Sequence, residues 1–463
     1  MKINVAGAGA GKTTRMADFI TTIDIPVGEV VFCIAFTNSA VENIREKVIE
    51  KEGGVPNNIK ISTIHSFFYN ELIKPYFFIL YGKHFDRVSM ITLPSNEKYR
   101  RRKISELEAD GFLHITTIPE RAKWVAYKKS SDRKTTCELR KQILHNFNKY
   151  CNSIFVDEAQ DIDEDMRLIL ESLDNAGVDI VLYGDPKQDV KGYGQFSRII
   201  EKTKEVNYIS ESYRCPRKLL QLSNMLASDF EKQTTVNENK DGSIQIVFES
   251  NIENLKQFLA EGDYGLRYIS RKNERINTHD EEKNVSFENL QHEVYRAMVI
   301  KWKGKDSDLN IKRWTFYVTE RMLEEFDGKN AKAIVSRWIN EIGVFDYTRE
   351  MYASLIGAFG NNDDNQSSIP VVQSIEIVKG LEAENCLFIL TTDLAPYLFR
   401  NKDQENKTKH LLYVALTRSL SCLTILITKE VEAKYTKSMI EEFFAVAITL
   451  PNCQKPNLKA SKT

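Results

Sequence analysis

A glycine-rich segment near the amino terminus contains the residue types that bind phosphate. It reads AGAGAGKTT over residues 6–14, follows the apolar stretch KINVA and precedes a stretch with helical character. In such a loop, backbone N–H groups converge on phosphate oxygens, a Lys reaches the β- and γ-phosphates, and the next hydroxyl binds Mg²⁺. We expect Lys12 and Thr13 to have these two roles. The predicted nucleotide-binding residues are Ala6, Gly7, Ala8, Gly9, Ala10, Gly11, Lys12, Thr13 and Thr14.

Two adjacent carboxylates follow a second apolar stretch. The run SIFV leads directly into DEAQD at residues 157–161, and two carboxylates at the end of a buried strand are costly without a cation. Asp157 can hold magnesium, while Glu158 can orient and deprotonate the water that attacks a phosphate. Together, the two motifs predict an enzyme that hydrolyses ATP with Mg²⁺ as its metal.

Composition excludes several other classes of protein. The 463 residues include 64 Lys and Arg against 65 Asp and Glu, a net charge of -1, so a generally basic nucleic-acid binder is excluded. The seven cysteines are scattered without a CxxC pair, which argues against a zinc ribbon or a disulfide framework. No run of about 18 apolar residues and no signal peptide is present, so we expect a cytoplasmic protein without membrane association.

Apolar stretches alternate with helical patterns, which predicts an α/β fold with parallel sheets and with ligands at the carboxyl ends of the strands. A second series of apolar stretches begins near residue 243 and resumes at residue 371. We therefore expect two α/β cores, each interrupted by a mainly helical insertion. The predicted segments are 1–70 and 151–235 for the first core, 71–150 for its insertion, 236–274 and 369–463 for the second core, and 275–368 for the second insertion.

The first insertion differs in charge from the rest of the chain. Residues 71–150 contain 17 Lys and Arg against nine Asp and Glu, a net charge of +8, and include the block YRRRK at 99–103. Such a charge excess favours contacts with nucleic-acid phosphates. We expect this insertion to be an arm that contacts DNA.

An ordered series of motifs resembles the UvrD/Rep/PcrA family of superfamily 1 DNA helicases. The resemblance implies two RecA-like P-loop NTPase cores, with ATP in the cleft between them and single-stranded DNA across their top. It covers both cores and leaves the insertions unassigned. The motifs are AGAGAGKT (6–13), AFTNSAVENIREKV (35–48), STIHSF (62–67), VDEAQD (156–161), YGDPKQ (183–188), SYR (212–214), KGLE (379–382) and YVALTR (413–418).

The same resemblance implies roles for residues around the nucleotide. Gln188 is similar to a glutamine that senses the γ-phosphate and links it to DNA. Tyr213 resembles an aromatic residue that stacks on adenine, and Arg214 resembles a γ-phosphate contact. Arg418 resembles an arginine finger from the second core, and Glu382 is similar to a residue near the ribose.

Residues for strand binding are also implied by the resemblance. Binding without base specificity requires aromatic rings on which bases stack, together with phosphate contacts. The implied DNA-contacting residues are Phe36, Thr37, Asn38, His65 and Tyr193. Tyr193 stands where the family usually has a tryptophan.

Four features depart from the family pattern. Thr14 stands where an Arg often follows GKT, Glu376 replaces a histidine before KGLE, and Gly194 replaces an arginine after the stacking aromatic residue. A glutamine-containing segment that reads adenine normally precedes the P-loop, which here begins at residue 6. These departures concern the fine contacts to DNA and nucleotide.

The resemblance implies an ATP-dependent DNA helicase or translocase that moves 3′ to 5′ on single-stranded DNA. Its expected partners are single strands and single-strand/duplex junctions, in DNA repair or in anti-phage defence. One alternative is an ATPase DNA sensor that gates a separate nuclease partner, as in Gabija-type defence systems. Two further alternatives are an RNA-directed superfamily 1 enzyme and a binding protein without catalytic activity.

Overall fold

The computed structural model describes residues 1–236, 241–278, 282–302, 305–326, 330–359 and 371–449. The part of the predicted second core beyond residue 449 lies outside these residues. The described strands are β1 (Lys2–Ala6), β2 (Val30–Ala35), β3 (Ile59–Thr63), β4 (Arg87–Ser89), β5 (Phe112–His114), β6 (Cys151–Val156), β7 (Asp179–Gly184), β8 (Val206–Ile209), β9 (Glu211–Ser212), β10 (Thr234–Thr235), β11 (Ser243–Phe248), β12 (Leu266–Ile269), β13 (Asn277–Thr278), β14 (Val371–Ser374), β15 (Ala383–Leu390) and β16 (Ser419–Ile427). The described α-helices are α1 (Lys12–Thr21), α2 (Asn38–Glu52), α3 (Ile64–Phe67), α4 (Lys74–Tyr81), α5 (Glu97–Ala109), α6 (Ile118–Ala126), α7 (Lys134–Tyr150), α8 (Glu164–Asn175), α9 (Gln195–Lys202), α10 (Arg217–Asn224), α11 (Leu255–Glu261), α12 (Glu282–Trp302), α13 (Asp308–Glu324), α14 (Ala331–Asn340), α15 (Arg349–Ala358), α16 (Ala395–Leu398), α17 (Lys407–Leu416), α18 (Lys429–Lys434) and α19 (Lys437–Thr449).

The first sheet has six parallel strands in the order β3-β2-β6-β7-β1-β8. Its central strands are almost entirely apolar and buried, as expected for a parallel sheet that is covered on both faces. Strand β7 lies between β1 and β6 and is parallel to both. The segments that follow these three strands therefore emerge at the same edge of the sheet. This order places the glycine-rich loop after β1 beside the acidic pair after β6.

The second sheet also has six parallel strands, in the order β11-β16-β15-β12-β14-β13. Its buried residues continue into a cluster that includes Ala8 and Val190 from the first sheet's loops. Two parallel-sheet α/β cores are therefore present, which confirms the predicted fold class.

The chain divides into two compact units. The first contains Met1–Tyr81, Pro119–His279 and Ile369–Thr463, and therefore holds both six-stranded sheets. The second contains Gly82–Ile118 and Asp280–Ser368. Segments from both sequence insertions thus fold together in the second unit.

The second unit is built on the paired strands β4 and β5 and on the helices α5 and α12–α15. Its apolar core includes Leu290, Val294, Trp338 and Leu355. Among the helices of the described residues, none combines the length and the apolar character needed to cross a membrane.

Candidate functional site

The glycine-rich loop connects β1 to α1, and its glycines are required by the backbone. Gly9 and Gly11 have φ values of 69° and 70°, in the left-handed region that favours glycine. A Cβ atom at Gly9 would lie 2.4 Å from the Cβ of Arg214, so a side chain does not fit there. The helix begins at Lys12, where the first backbone N–H groups have no partner within the helix and can bind phosphate.

The individual loop residues are placed as follows. Ala6, Ala8 and Ala10 are buried, whereas Thr14 is exposed in the first turn of α1. The Lys12 ammonium donates a hydrogen bond to the Ala6 carbonyl at 3.3 Å, so it folds back over the loop. The Lys12 charge therefore lies beside Ala6, at the start of the glycine-rich loop.

Two side chains that sequence reasoning missed hold the loop from outside. Gln233 donates to the Ala8 carbonyl at 3.2 Å, and the Tyr413 hydroxyl accepts from the Ala8 N–H at 3.3 Å. The Tyr413 hydroxyl also donates to Gln233 at 3.2 Å. A Cβ atom at Gly7 would lie only 2.2 Å from the Gln233 amide oxygen. Tyr413 belongs to the YVALTR motif, but no sequence motif indicates Gln233.

The predicted metal ligands are in contact. The Thr13 hydroxyl donates to Oδ2 of Asp157 at 2.8 Å, and Asp157 is buried. Burial and the adjacent Glu158 charge raise the pKa of Asp157 to about 6. Mg²⁺ is usually bound by one or two protein oxygens together with phosphates and water, and Thr13 and Asp157 fit this donor set.

Glu158 is held in the ionised form that a general base requires. Burial raises the pKa of Glu158, but nearby positive charges, foremost Lys12 and Lys379, together with the hydrogen bond from Gln160 lower it by more, so its net shift is downward. Gln160 donates a hydrogen bond to the Glu158 carboxylate. Glu158 also has a φ of 56°, which is rare for a residue other than glycine and is typical of constrained functional sites.

The segment after β7 fixes Gln188 beside a buried carboxylate. The Gln188 amide donates to Oδ2 of Asp185 at 2.9 Å, and the Lys187 ammonium lies 3.0 Å from Oδ1. Burial raises the pKa of Asp185, but the charges of Lys187 and Lys12 together with the side-chain hydrogen bonds to this carboxylate lower it by more, so it is ionised. Gln188 is therefore tied to the same cluster of charges that surrounds the phosphate loop.

The predicted γ-phosphate arginine lies at the loop. Arg214 forms an ion pair with Glu382, and the backbone N–H of Tyr213 donates to the Gly9 carbonyl at 2.9 Å. The Tyr213 ring is 56% exposed, and the Arg15 guanidinium lies 6.0 Å from its centroid. Arg214, Tyr213 and Glu382 thus lie together around Gly9.

Arg418 is buried within the second core. Its guanidinium donates to the carbonyls of Val414 at 3.0 Å and Leu381 at 3.2 Å. Burial and the nearby Arg214 charge lower the pKa of Arg418. Its charge still acts on Glu158, where it favours the ionised carboxylate.

Two of the predicted stacking residues flank a lysine that sequence reasoning missed. The Lys191 ammonium lies 5.6 Å from the ring centroid of Phe36 and 5.8 Å from that of Tyr193. The Tyr193 ring is 43% exposed. Burial and the Lys191 charge lower the pKa of His65, so its ring is neutral near pH 7. The structure therefore brings Phe36, His65 and Tyr193 together around one exposed cation.

The loop that carries Tyr193 is fixed by Asp189. Its carboxylate accepts from the backbone N–H groups of Gly192 at 2.8 Å, Tyr193 at 3.2 Å and Gly194 at 2.7 Å. Gly192 and Gly194 have φ values of 74° and 63°, which this tight loop requires. The glycine at 194, where the resembling family has arginine, thus has a conformational role.

Thr37 and Asn38 lie at the start of α2, immediately after β2. The Thr37 hydroxyl accepts from the Ala40 N–H at 3.1 Å and caps the helix. Both side chains are exposed at the edge of the sheet that also carries Phe36. Glu376, the other departure, forms an exposed ion pair with Lys407.

Among known proteins, the chain is similar to a domain family over its first core and to solved structures over most of its length. No curated protein matches the chain. Among solved structures, the chain is similar to a complex of the arterivirus nonstructural protein 10, a helicase, with DNA (8% identity, TM-score 0.35), over 92% of this chain and 59% of that one. It is also similar to the PRRSV helicase (10% identity, TM-score 0.34), over 92% of this chain and 52% of that one. This chain spans little more than half the length of these viral proteins. Residues 1–193, which hold the phosphate loop, the Asp157–Glu158 pair and Gln188, match the AAA domain family.

Proposed function

We propose that this chain is an ATP-dependent DNA helicase or translocase that moves 3′ to 5′ on single-stranded DNA, as the resemblance to the UvrD/Rep/PcrA family implies. Lys12 and the loop N–H groups would bind the phosphates, and Thr13 with Asp157 would hold Mg²⁺. Glu158 would accept a proton from the attacking water. The substrates would be ATP and single strands next to duplex junctions.

One observation carries this proposal: the phosphate site and the aromatic surface belong to one short segment. Gln188 bonds Asp185 inside the charge cluster, and only five residues later Tyr193 presents an exposed ring. Asp189, between them, holds the intervening loop by three hydrogen bonds. A displacement of Gln188 during nucleotide turnover would therefore be transmitted to the stacking surface.

The two cores are also tied at the site itself. Lys379 pairs with Asp161 at 2.6 Å, and Glu382 of the same KGLE segment pairs with Arg214. A phosphate bound at Lys12 would compete with Glu382 for the Arg214 guanidinium, because both are anions within its reach. If the phosphate replaced Glu382 as the partner of Arg214, nucleotide binding would break this ion pair between the two cores.

The surface around Lys191 has the chemistry for sequence-independent strand binding. Phe36 and Tyr193 offer rings on which bases can stack, and Lys191 between them offers a phosphate contact. No base-reading pattern is needed for such binding.

The decisive experiment measures ATP hydrolysis by the purified chain without nucleic acid and with single-stranded DNA, duplex DNA or single-stranded RNA. Strong stimulation by single-stranded DNA alone is expected, and greater stimulation by RNA would contradict the DNA assignment. Unwinding of duplexes with either a 3′ or a 5′ single-stranded tail then tests the polarity. ATP binding with little turnover on every nucleic acid would contradict an autonomous motor and favour a subunit that gates a partner nuclease.

A further inference from the structure

The Ala8 peptide joins the phosphate loop to side chains of both cores. Its N–H donates to the Tyr413 hydroxyl at 3.3 Å, and its carbonyl accepts from Nε2 of Gln233 at 3.2 Å and from the Ser212 hydroxyl at 3.1 Å. The Tyr413 hydroxyl in turn donates to Oε1 of Gln233 at 3.2 Å. Ala8, Gln233 and Tyr413 therefore form a closed ring of three hydrogen bonds, which we name the Ala8 ring.

The Ala8 ring is buried. Ala8, Gln233 and Tyr413 are 1%, 4% and 2% exposed. Burial and the nearby Asp185 charge hold the pKa of Tyr413 well above its ordinary value, so its hydroxyl stays protonated and can donate to Gln233. Hydrogen bonds in such surroundings are strong and polarise one another. The loss of one member should therefore disturb the other two.

The backbone of Gln233 is held independently of the phosphate loop. Its N–H donates to Oδ1 of Asn224 at 2.9 Å, and its carbonyl accepts from Nδ2 of the same side chain at 2.8 Å. Asn224 is the last residue of α10. This contact at two points fixes the place from which the Gln233 amide reaches Ala8.

The glycine at position 7 fits this arrangement. The φ of Gly7 lies outside the left-handed region, unlike those of Gly9 and Gly11, so its backbone does not require glycine. A Cβ atom there would lie 2.2 Å from Oε1 of Gln233. A side chain at position 7 would therefore displace the Gln233 amide from the Ala8 ring.

The Lys12 ammonium is bonded to the same part of the loop. It donates to the Ala6 carbonyl at 3.3 Å, two residues before Ala8. Tyr413 lies on α17 of the second core, so this helix contacts the loop beside the proposed phosphate-binding lysine. A displacement of about 1 Å at a positioning group can slow a reaction by about 10²-fold. The placement of the Lys12 charge thus depends on a side chain of the second core.

We propose that Gln233 and Tyr413 are positioning residues for ATP hydrolysis and act as one unit on the Ala8 peptide. They keep the loop in the shape that presents Lys12 to the γ-phosphate, and Tyr413 makes this shape depend on contact with the second core. Both act through the loop rather than by touching the nucleotide. The inference rests on the proposed hydrolysis of ATP at this loop, but not on the binding of nucleic acid.

ATPase assays of the full chain, without nucleic acid and with single-stranded DNA, test this role together with binding of a fluorescent, non-hydrolysable ATP analogue. Tyr413→Phe and Gln233→Met remove hydrogen bonds and nearly preserve side-chain size. Each should lower kcat by about tenfold or more and change the Kd of the analogue by less than about threefold, because Lys12 and the start of α1 still bind the phosphates. The double variant should be no slower than the slower single variant, since residues that act as one unit are not additive.

Tyr435→Phe is the matched control. Tyr435 is a buried tyrosine of the second core, 1% exposed, and its hydroxyl accepts from Nδ2 of Asn401 at 3.1 Å rather than contacting the phosphate loop. Urea unfolding should show a loss of stability in Tyr435→Phe as in Tyr413→Phe, because each loses a buried hydroxyl. The kcat of Tyr435→Phe should nevertheless equal that of the wild type.

Three results would overturn the proposal: an unchanged kcat in Tyr413→Phe and Gln233→Met, losses that multiply in the double variant, or an equal loss of kcat in Tyr435→Phe. Turnover of the wild type that DNA does not stimulate would contradict only the proposed motor. A wild type without turnover under either condition would overturn the positioning role as well.

Discussion

The ammonium group of Lys379 lies 2.6 Å from Oδ1 of Asp161, and this ion pair joins the KGLE segment to the DEAQD segment. Both side chains are nearly buried, at 12% and 9% exposure. The Lys379 charge also lowers the pKa of Glu158. One lysine therefore connects the second core to the residue proposed as the general base.

Lys379→Met should destabilise the protein and slow ATP turnover. It leaves Asp161 buried without its partner, which costs about 3–5 kcal/mol of the free energy of unfolding. The double variant Lys379→Met/Asp161→Asn should recover most of that stability but not the nucleic-acid-stimulated turnover. Urea unfolding and ATPase assays measure the two effects.

Lys2→Met is the matched control for this variant. Lys2 pairs with Asp179, and these side chains are 63% and 52% exposed. An exposed pair contributes at most about 1 kcal/mol. If Lys2→Met lost as much stability as Lys379→Met, the buried pair would have no special role.

Glu158→Gln should abolish ATP turnover but keep nucleotide binding. The amide preserves the shape of the side chain and removes only its ability to accept a proton, a loss of about 10²–10⁴-fold in rate. Lys12→Ala should abolish turnover and weaken nucleotide binding as well, because a phosphate contact is lost. Persistent turnover in clean preparations of both variants would refute the site assignment, and loss of nucleotide affinity in Glu158→Gln would refute its role as base.

The sequence predicts the fold class because buried parallel strands are short apolar runs, and the loops at their carboxyl ends carry the motifs. It also predicts that Thr13 and Asp157 approach each other, since the segments after β1 and β6 emerge at one sheet edge. It does not predict Gln233, because this residue reaches Ala8 only through the packing of a distant loop. A lone glutamine has no periodicity or spacing that would reveal such a contact.

The pairing of the two insertions was not predictable either. Gly82–Ile118 folds with Asp280–Ser368, although about 160 residues separate them in the chain. Lys191 was missed for a different reason, since a single lysine in a glycine-containing loop is usually a solvated surface residue. Lys191 becomes a candidate strand contact only because the rings of Phe36 and Tyr193 lie on either side of it.

His410→Gln should reduce stability more at low pH than at high pH. The Nδ1 atom of His410 is hydrogen-bonded to the Asp189 carbonyl at 2.9 Å, and its Nε2 atom lies 3.5 Å from the Glu405 carboxylate. The same carboxylate forms an ion pair with Lys409. Burial lowers the pKa of His410, but Glu405 and the Asp189 carbonyl raise it by more, so it lies above the ordinary value of 6.5. The stabilisation is therefore complete below pH 6.5 and is lost as pH rises through the folded pKa.

Urea unfolding at about pH 6 and about pH 9 measures this difference. We expect His410→Gln to lose up to about 1 kcal/mol more at the lower pH, because the partner carboxylate of Glu405 is 67% exposed and an exposed pair contributes little more than this. Glu405→Gln should also make the free energy of unfolding depend less on pH, because the Glu405 carboxylate favours the protonated His410 ring. An equal loss at both pH values would show that the charge on His410 contributes nothing.

Tyr193→Ala should weaken binding of single-stranded DNA by about 1–3 kcal/mol, the usual effect of losing one stacking ring. Tyr193→Phe is the control, because it keeps the ring and removes only the hydroxyl, and its affinity should be close to that of the wild type. Fluorescence anisotropy with a labelled oligonucleotide measures both. Unchanged affinity in Tyr193→Ala would exclude this ring from the DNA surface.

Lys191→Ala should change the salt dependence of the same binding. If Lys191 contacts one phosphate between Phe36 and Tyr193, its removal lowers the slope of log K against log salt by about 0.7 for a single strand. Lys202→Ala is the matched control, since Lys202 is 66% exposed and pairs with Glu171 on the neighbouring helix. A reduced slope for Lys191→Ala alone would place the strand against this lysine, whereas equal slopes for both variants would mean that Lys191 only orients the two rings.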